Sequence, residues 1–117
     1  MQDAKAVKFF EEVLSKTRAG KIRWEPTAIE SNYIAAVGGH FTLSVAEYER
    51  ENRYINQSIM AHSLALKDQE GRTLANVTDM DDGIREADVS ELYETARRQA
   101  LHVDEKIDSL LGELSKL

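Results

Sequence analysis

Apolar positions along the first part of the chain recur at helical spacing. Ala6, Phe10, Val13, Leu14 and Thr17 fall on one face, while Lys8, Glu11, Glu12 and Lys16 fall on the other. Asp3 stands where an N-cap is needed and Gly20 where a helix stops, so a helix is predicted from Asp3 to about Arg18. From Lys21 the period drops to two. Ile22 and Trp24 alternate with charged neighbours, predicting a short strand that Pro26, the only proline, ends near a sheet edge. Tyr33 to Val37 reads as a second strand, closed by the turn signal Gly38-Gly39. Phe41, Leu43 and Val45 then alternate with His40, Thr42 and Ser44 in the clearest half-buried strand. The polar stretch 48–56 is read as a connecting loop or the outer end of a long hairpin. Ile59 to Lys67 forms the next strand, with Met60, His62, Leu64 and Leu66 on one face. Asp68 to Gly71 turns the chain back through Arg72 to Thr78, and the acidic stretch 79–88 separates this sheet from the last element.

That last element carries the longest pattern. Asp88 and Glu91 have the spacing of a capping box, with aspartate in place of Ser or Thr. Beyond them Val89, Tyr93, Ala96, Ala100, Val103, Ile107, Leu110, Leu114 and Leu117 alternate gaps of four and three, a heptad seam. One helix over 89–117 is about 43 Å long at 1.5 Å per residue. A compact domain of this size is only about 35 Å across. Either the helix bends near His102, with Asp104 capping a second short helix, or its far end packs on another chain. The unbroken seam favours the partner, with Tyr93, Ala96, Ala100, Val103, Ile107, Leu110 and Leu114 as the expected oligomer interface. The predicted fold is therefore α+β: an N-terminal helix, an antiparallel sheet of four or five strands, and a long C-terminal helix or broken helix pair covering one face.

Composition narrows the function. The 117 residues make one domain, and 42% apolar with 31% charged residues is an ordinary globular balance. The absence of cysteine removes disulfides, thiolate metal sites and cysteine nucleophiles. A net charge of −6 argues against nucleic-acid binding, which needs a basic face. Charged residues interrupt the N-terminal apolar positions, and no run approaches the roughly 20 apolar residues of a membrane span. The expected location is the cytoplasm, that of the bacterial host if the chain is phage-encoded.

Candidate chemistry is sparse. His40, His62 and His102 show no metal-ligand spacing, and only His40 and His62 have a chance of meeting across paired strands. Asp79, Asp81, Asp82 and Asp88 lack the rhythm of a calcium loop. No Gly-x-Ser-x-Gly elbow or phosphate-binding glycine pattern occurs, so neither an enzyme nor a cofactor is expected. Arg23, Trp24, Arg50, Arg53 and Tyr54 form a mixed basic and aromatic surface if their segments converge, suited to stacking on a nucleotide. Arg97 and Arg98 flank the small Ala96/Ala100 layer, where a guanidinium meets a phosphate or carboxylate; pairing with Glu94 or Glu91 is the plainer role.

The segments Gly20-Lys21-Ile22-Arg23-Trp24, Glu70-Gly71-Arg72 and Leu92-Tyr93-Glu94-Thr95-Ala96-Arg97-Arg98 resemble those of a diffuse group of small, largely uncharacterised bacterial and phage proteins. The resemblance implies α-β-α order and a prokaryotic or phage origin, and carries no activity. His102 stands where that pattern has glycine. The expected function is binding: a homo-oligomer that regulates or inhibits a partner protein. The alternative is an oligomer that sequesters a signalling nucleotide in a phage-defence pathway; a weak enzyme built on His40, His62 and the acidic loop ranks third.

Overall fold

Residues 4–52 and 54–117 are described by a computed structural model of the chain. Helix α1, Ala4–Arg18, turns Phe10, Val13, Leu14 and Thr17 inward, as their spacing demands, and Gly20 beyond its end takes φ +71°. The expected cap at Asp3 lies outside the described residues. Five strands follow: β1 Glu25–Pro26, β2 Asn32–Val37, β3 Phe41–Asn52, β4 Gln57–Lys67 and β5 Thr73–Thr78. They form an antiparallel open sheet in the order β1-β2-β3-β4-β5, so every connection is a hairpin between neighbours.

The strand boundaries differ from the expected ones in two places. Ile22 and Trp24 lie in the lead-in, and the strand they were expected to form is instead Glu25–Pro26. Pro26 sits within this edge strand, opposite Tyr33. Proline is tolerated there because an edge residue needs no N–H on its outer side. The polar stretch 48–52 continues β3, and residues 54–56 turn into β4, Asn56 at φ +51°. The long hairpin is thus correct and the loop is not. Pairing across β3 and β4 supplies the hydrogen bonds that hold this polar end extended.

One face of the sheet holds the core. The row Tyr33, Val45, Leu64, Val77 runs straight across β2 to β5, every member buried. Helix α2, Glu86–Ala100, lays Val89, Leu92, Tyr93, Ala96 and Ala100 on this row beside α1. Burying side chains of this kind contributes about 1.5–3 kcal/mol each for the larger ones. Trp24 closes one end of the core, its Nε1–H donating to Thr17 Oγ1 at 3.1 Å. The helix start departs from the capping box: α2 begins three residues after Gly83, with Arg85 at the N-cap and no side-chain cap, while Asp88 lies inside the first turn. There its charge favours the positive end of the helix.

On the opposite face Arg50 reaches over β4 to Asp79 in a two-pronged ion pair at 3.1 and 3.0 Å. Small residues such as Ala61, Ser63 and Ala65 otherwise pave this face.

The C-terminal segment is a broken pair. Leu101 ends α2, His102 takes the left-handed conformation (φ 53°, ψ 46°), and α3 runs over Val103–Leu114. Asp104 does not cap α3; its carboxylate instead takes Arg98. Although the helix bends, α3 does not fold back over the core, and none of its residues is buried. The radius of gyration is 16.1 Å, against about 13 Å for a compact chain of this length.

Candidate functional site

The heptad seam splits at the bend. Val89, Tyr93, Ala96 and Ala100 are buried in the chain's own core, so Tyr93, Ala96 and Ala100 offer no surface to a partner. Of the expected interface, Val103, Ile107, Leu110 and Leu114 remain on α3. Ile107 is 45% exposed, Leu110 56% and Leu114 51%, with Leu111 beside them at 57%. Leu101, Val103, Lys106, Ile107 and Leu110 line a shallow furrow of about 330 Å³ at the junction with α2. One side of α3 thus turns a row of large apolar side chains to water.

A second feature lies at the other rim of α2. Pro26 and the β1–β2 connection, residues 27–31, stand away from α2 and leave a cleft of about 850 Å³, lined also by Tyr33, Tyr93, Glu47, Arg97 and Leu101. Thr27 shapes the loop by donating through Oγ1 to the Ile29 and Asn32 carbonyls and accepting from the Ile29 N–H. Glu47 and His62 stand opposite each other on β3 and β4, on the core side, and His62 Nε2 lies 3.0 Å from Glu47 Oε2. The imidazole packs on Tyr93 at 4.7 Å between ring centres, and Tyr93 meets Tyr33 edge-on at 5.8 Å. Burial, reinforced by the Glu47 carboxylate, pushes the Tyr93 phenol up to about 12. The cleft therefore brings together a phenol held protonated at neutral pH, the Glu47 carboxylate and the Arg97 guanidinium.

The convergence on which a mixed basic and aromatic surface depended does not occur among its described members. Trp24 is a core residue, Arg50 is held by Asp79 on the far face of the sheet, and Tyr54 stands fully exposed in the β3–β4 turn. Arg23 projects into water beside Glu25. Arg53 lies outside the described residues. Arg97 pairs with Glu94 at 3.0 Å, and Arg98 pairs with Asp104 at 2.5 Å. Of that set only Arg97 lines the cleft.

His40 sits in the β2–β3 turn, whereas His62 faces Glu47 near the middle of β4, so the two do not meet. Among the described residues no group of three or more metal-binding side chains forms a cation site, and no helix is long and apolar enough to cross a membrane. Glu47 is the site residue that the sequence reading passed over. Its signal was the alternation itself: carried two residues past Val45, it places Glu47 inward. No protein-family model, curated protein or solved structure matches the chain.

Proposed function

We propose that the chain is a non-catalytic binding protein that works as a homo-oligomer assembled through α3 and regulates or inhibits a partner protein. The observation that carries this is the exposed ridge of Ile107, Leu110 and Leu114, continued by half-buried Val103, on a helix that projects from the core. Exposed leucine ridges on a projecting helix are stabilised by burial against a second apolar surface. A bacterial or phage origin is part of this proposal and rests on the resemblance of GKIRW and LYETARR alone. Light scattering tests the reading: the wild type is expected to have a multiple of the monomer mass, and Ile107→Asp with Leu114→Asp to reduce it to one chain. A wild type that stays monomeric at high concentration overturns it.

The cleft favours a second function, the binding of a small polar ligand. An opening of this size suits a drug-sized molecule. The ligand would offer a hydrogen-bond donor to Glu47 and an anionic group to Arg97, with Tyr93 between them. A nucleotide meets both demands, through a base N–H edge and a phosphate. A thermal-shift screen of nucleotides against wild type, Arg97→Ala and Tyr93→Phe tests it; stabilisation of the wild type alone is expected, and no shift with any nucleotide rules out that class.

A further inference from the structure

The charges on α3 go further than its apolar ridge and specify how two copies meet. We infer that α3 pairs with α3 of a second copy in antiparallel orientation, in one register, fixed by reciprocal ion pairs between Lys106 and the partner's Glu113. The inference rests on the association proposed above and names its geometry.

The gaps of four and three place Val103 and Leu110 at one core position of the heptad, d, and Ile107 and Leu114 at the other, a. Lys106 and Glu113 each precede an a residue, so both flank the seam on the same side, seven residues apart. In an antiparallel pair each a layer faces a d layer, and the residues preceding a from the two helices run alongside each other. With Ile107 opposite the partner's Leu110, and Val103 opposite the partner's Leu114, all four ridge residues are matched. The two-fold axis then passes between residues 108 and 109. Lys106 lies beside the partner's Glu113 on one side of that axis, and the pair repeats on the other.

Neighbouring registers are disfavoured. A slide of one heptad in one direction brings the two Glu113 side chains together, and in the other direction the two Lys106 side chains. A parallel pair places Lys106 next to the partner's Leu111, with no counter-charge. Among the described residues Lys106 makes no ion pair and Glu113 pairs with Lys116 alone, at 3.5 Å, and both Lys106 and Glu113 are exposed. Antiparallel packing also sets the first turn of each α3, the positive end of its dipole, near the last turn of the other. It carries the two sheet domains to opposite ends of the pair.

The chain contains no cysteine, so introduced thiols report the register directly. Val103→Cys and Leu114→Cys proteins, oxidised separately, are expected to give no covalent dimer, because each thiol lies far from its own copy. An equimolar mixture is expected to cross-link. In a parallel experiment without thiols, Lys106→Glu is expected to weaken self-association about tenfold, since two attractions become two repulsions of a few tenths of a kcal/mol each. Adding Glu113→Lys to that variant restores it. Self-linking of either single thiol, or no rescue by the double swap, in a protein that still scatters as a dimer overturns the register and leaves association through α3 standing. A monomeric wild type overturns both.

Discussion

The Arg98 guanidinium meets the Asp104 carboxylate at 2.5 Å across the bend between α2 and α3. One residue comes from the last turn of α2 and the other from the first turn of α3, with left-handed His102 between them. This contact and the backbone of one residue set the direction in which the apolar ridge points. An exposed pair of this kind contributes under about 1 kcal/mol. Arg98→Ala is therefore expected to leave the melting temperature nearly unchanged while loosening the angle of α3. Small-angle scattering on a monomeric Ile107→Asp background reads that angle. An unchanged profile shows that the backbone alone holds it.

His102 bears a cost that glycine would not. A side chain in the left-handed region loses about 1–2 kcal/mol relative to the ordinary helical conformation. His102→Gly should accordingly stabilise the fold by about 1 kcal/mol. Denaturant unfolding measures this, and a destabilised glycine variant shows that the histidine ring holds the bend by a contact of its own.

Thr17 is fully buried and serves two neighbours: its hydroxyl accepts from Trp24, and its carbonyl accepts from Gln99 Nε2 at 2.9 Å. Thr17→Val keeps the shape and removes the acceptor for the indole N–H. An orphaned buried donor costs about 1–3 kcal/mol. The single tryptophan makes the change visible in fluorescence. A variant as stable as the parent means that the indole finds another acceptor.

Tyr93 gives the fold an alkaline limit. Burial pushes its phenol up to about 12, above the ordinary tyrosine value of 10.0. In the unfolded chain the proton leaves near 10, so the unfolded state binds fewer protons between those values and stability falls as pH rises through that window. Below it the contribution is fully present. Tyr93→Phe is expected to unfold less readily in that range and to match the parent at neutral pH. Equal alkaline sensitivity in both proteins assigns the limit to other groups.

How much of this was legible depends on which residues carry the information. The alternation of Leu43 and Val45 and the helical spacing of Phe10, Val13, Leu14 and Thr17 place the core directly, because burial on one face is what periodicity records, while Phe41, first in the same alternation, stays exposed at the strand end. The outer half of β3 was obscured, since Glu49, Arg50 and Glu51 are polar and their extended backbone comes from pairing with Ile59 and its neighbours. The bend at His102 lies beyond the reach of any apolar pattern. The seam runs through it without a missed beat, and only the dihedral angles of one residue separate a half buried in the core from a half facing water. The cleft was hidden for a related reason: Tyr33, Glu47, Tyr93 and Arg97 come from three elements, β2, β3 and α2, whose register no local pattern states.

The sheet ends, on the β1 side, in two residues of which one is proline. A border so short, with one amide hydrogen missing, gives an incoming strand almost nothing to template on. Growth of the sheet from copy to copy is blocked along that margin, whereas a two-fold helix contact satisfies itself once and stops. With α3 paired as proposed, crowding is expected to favour a closed pair over strand addition along the β1 margin.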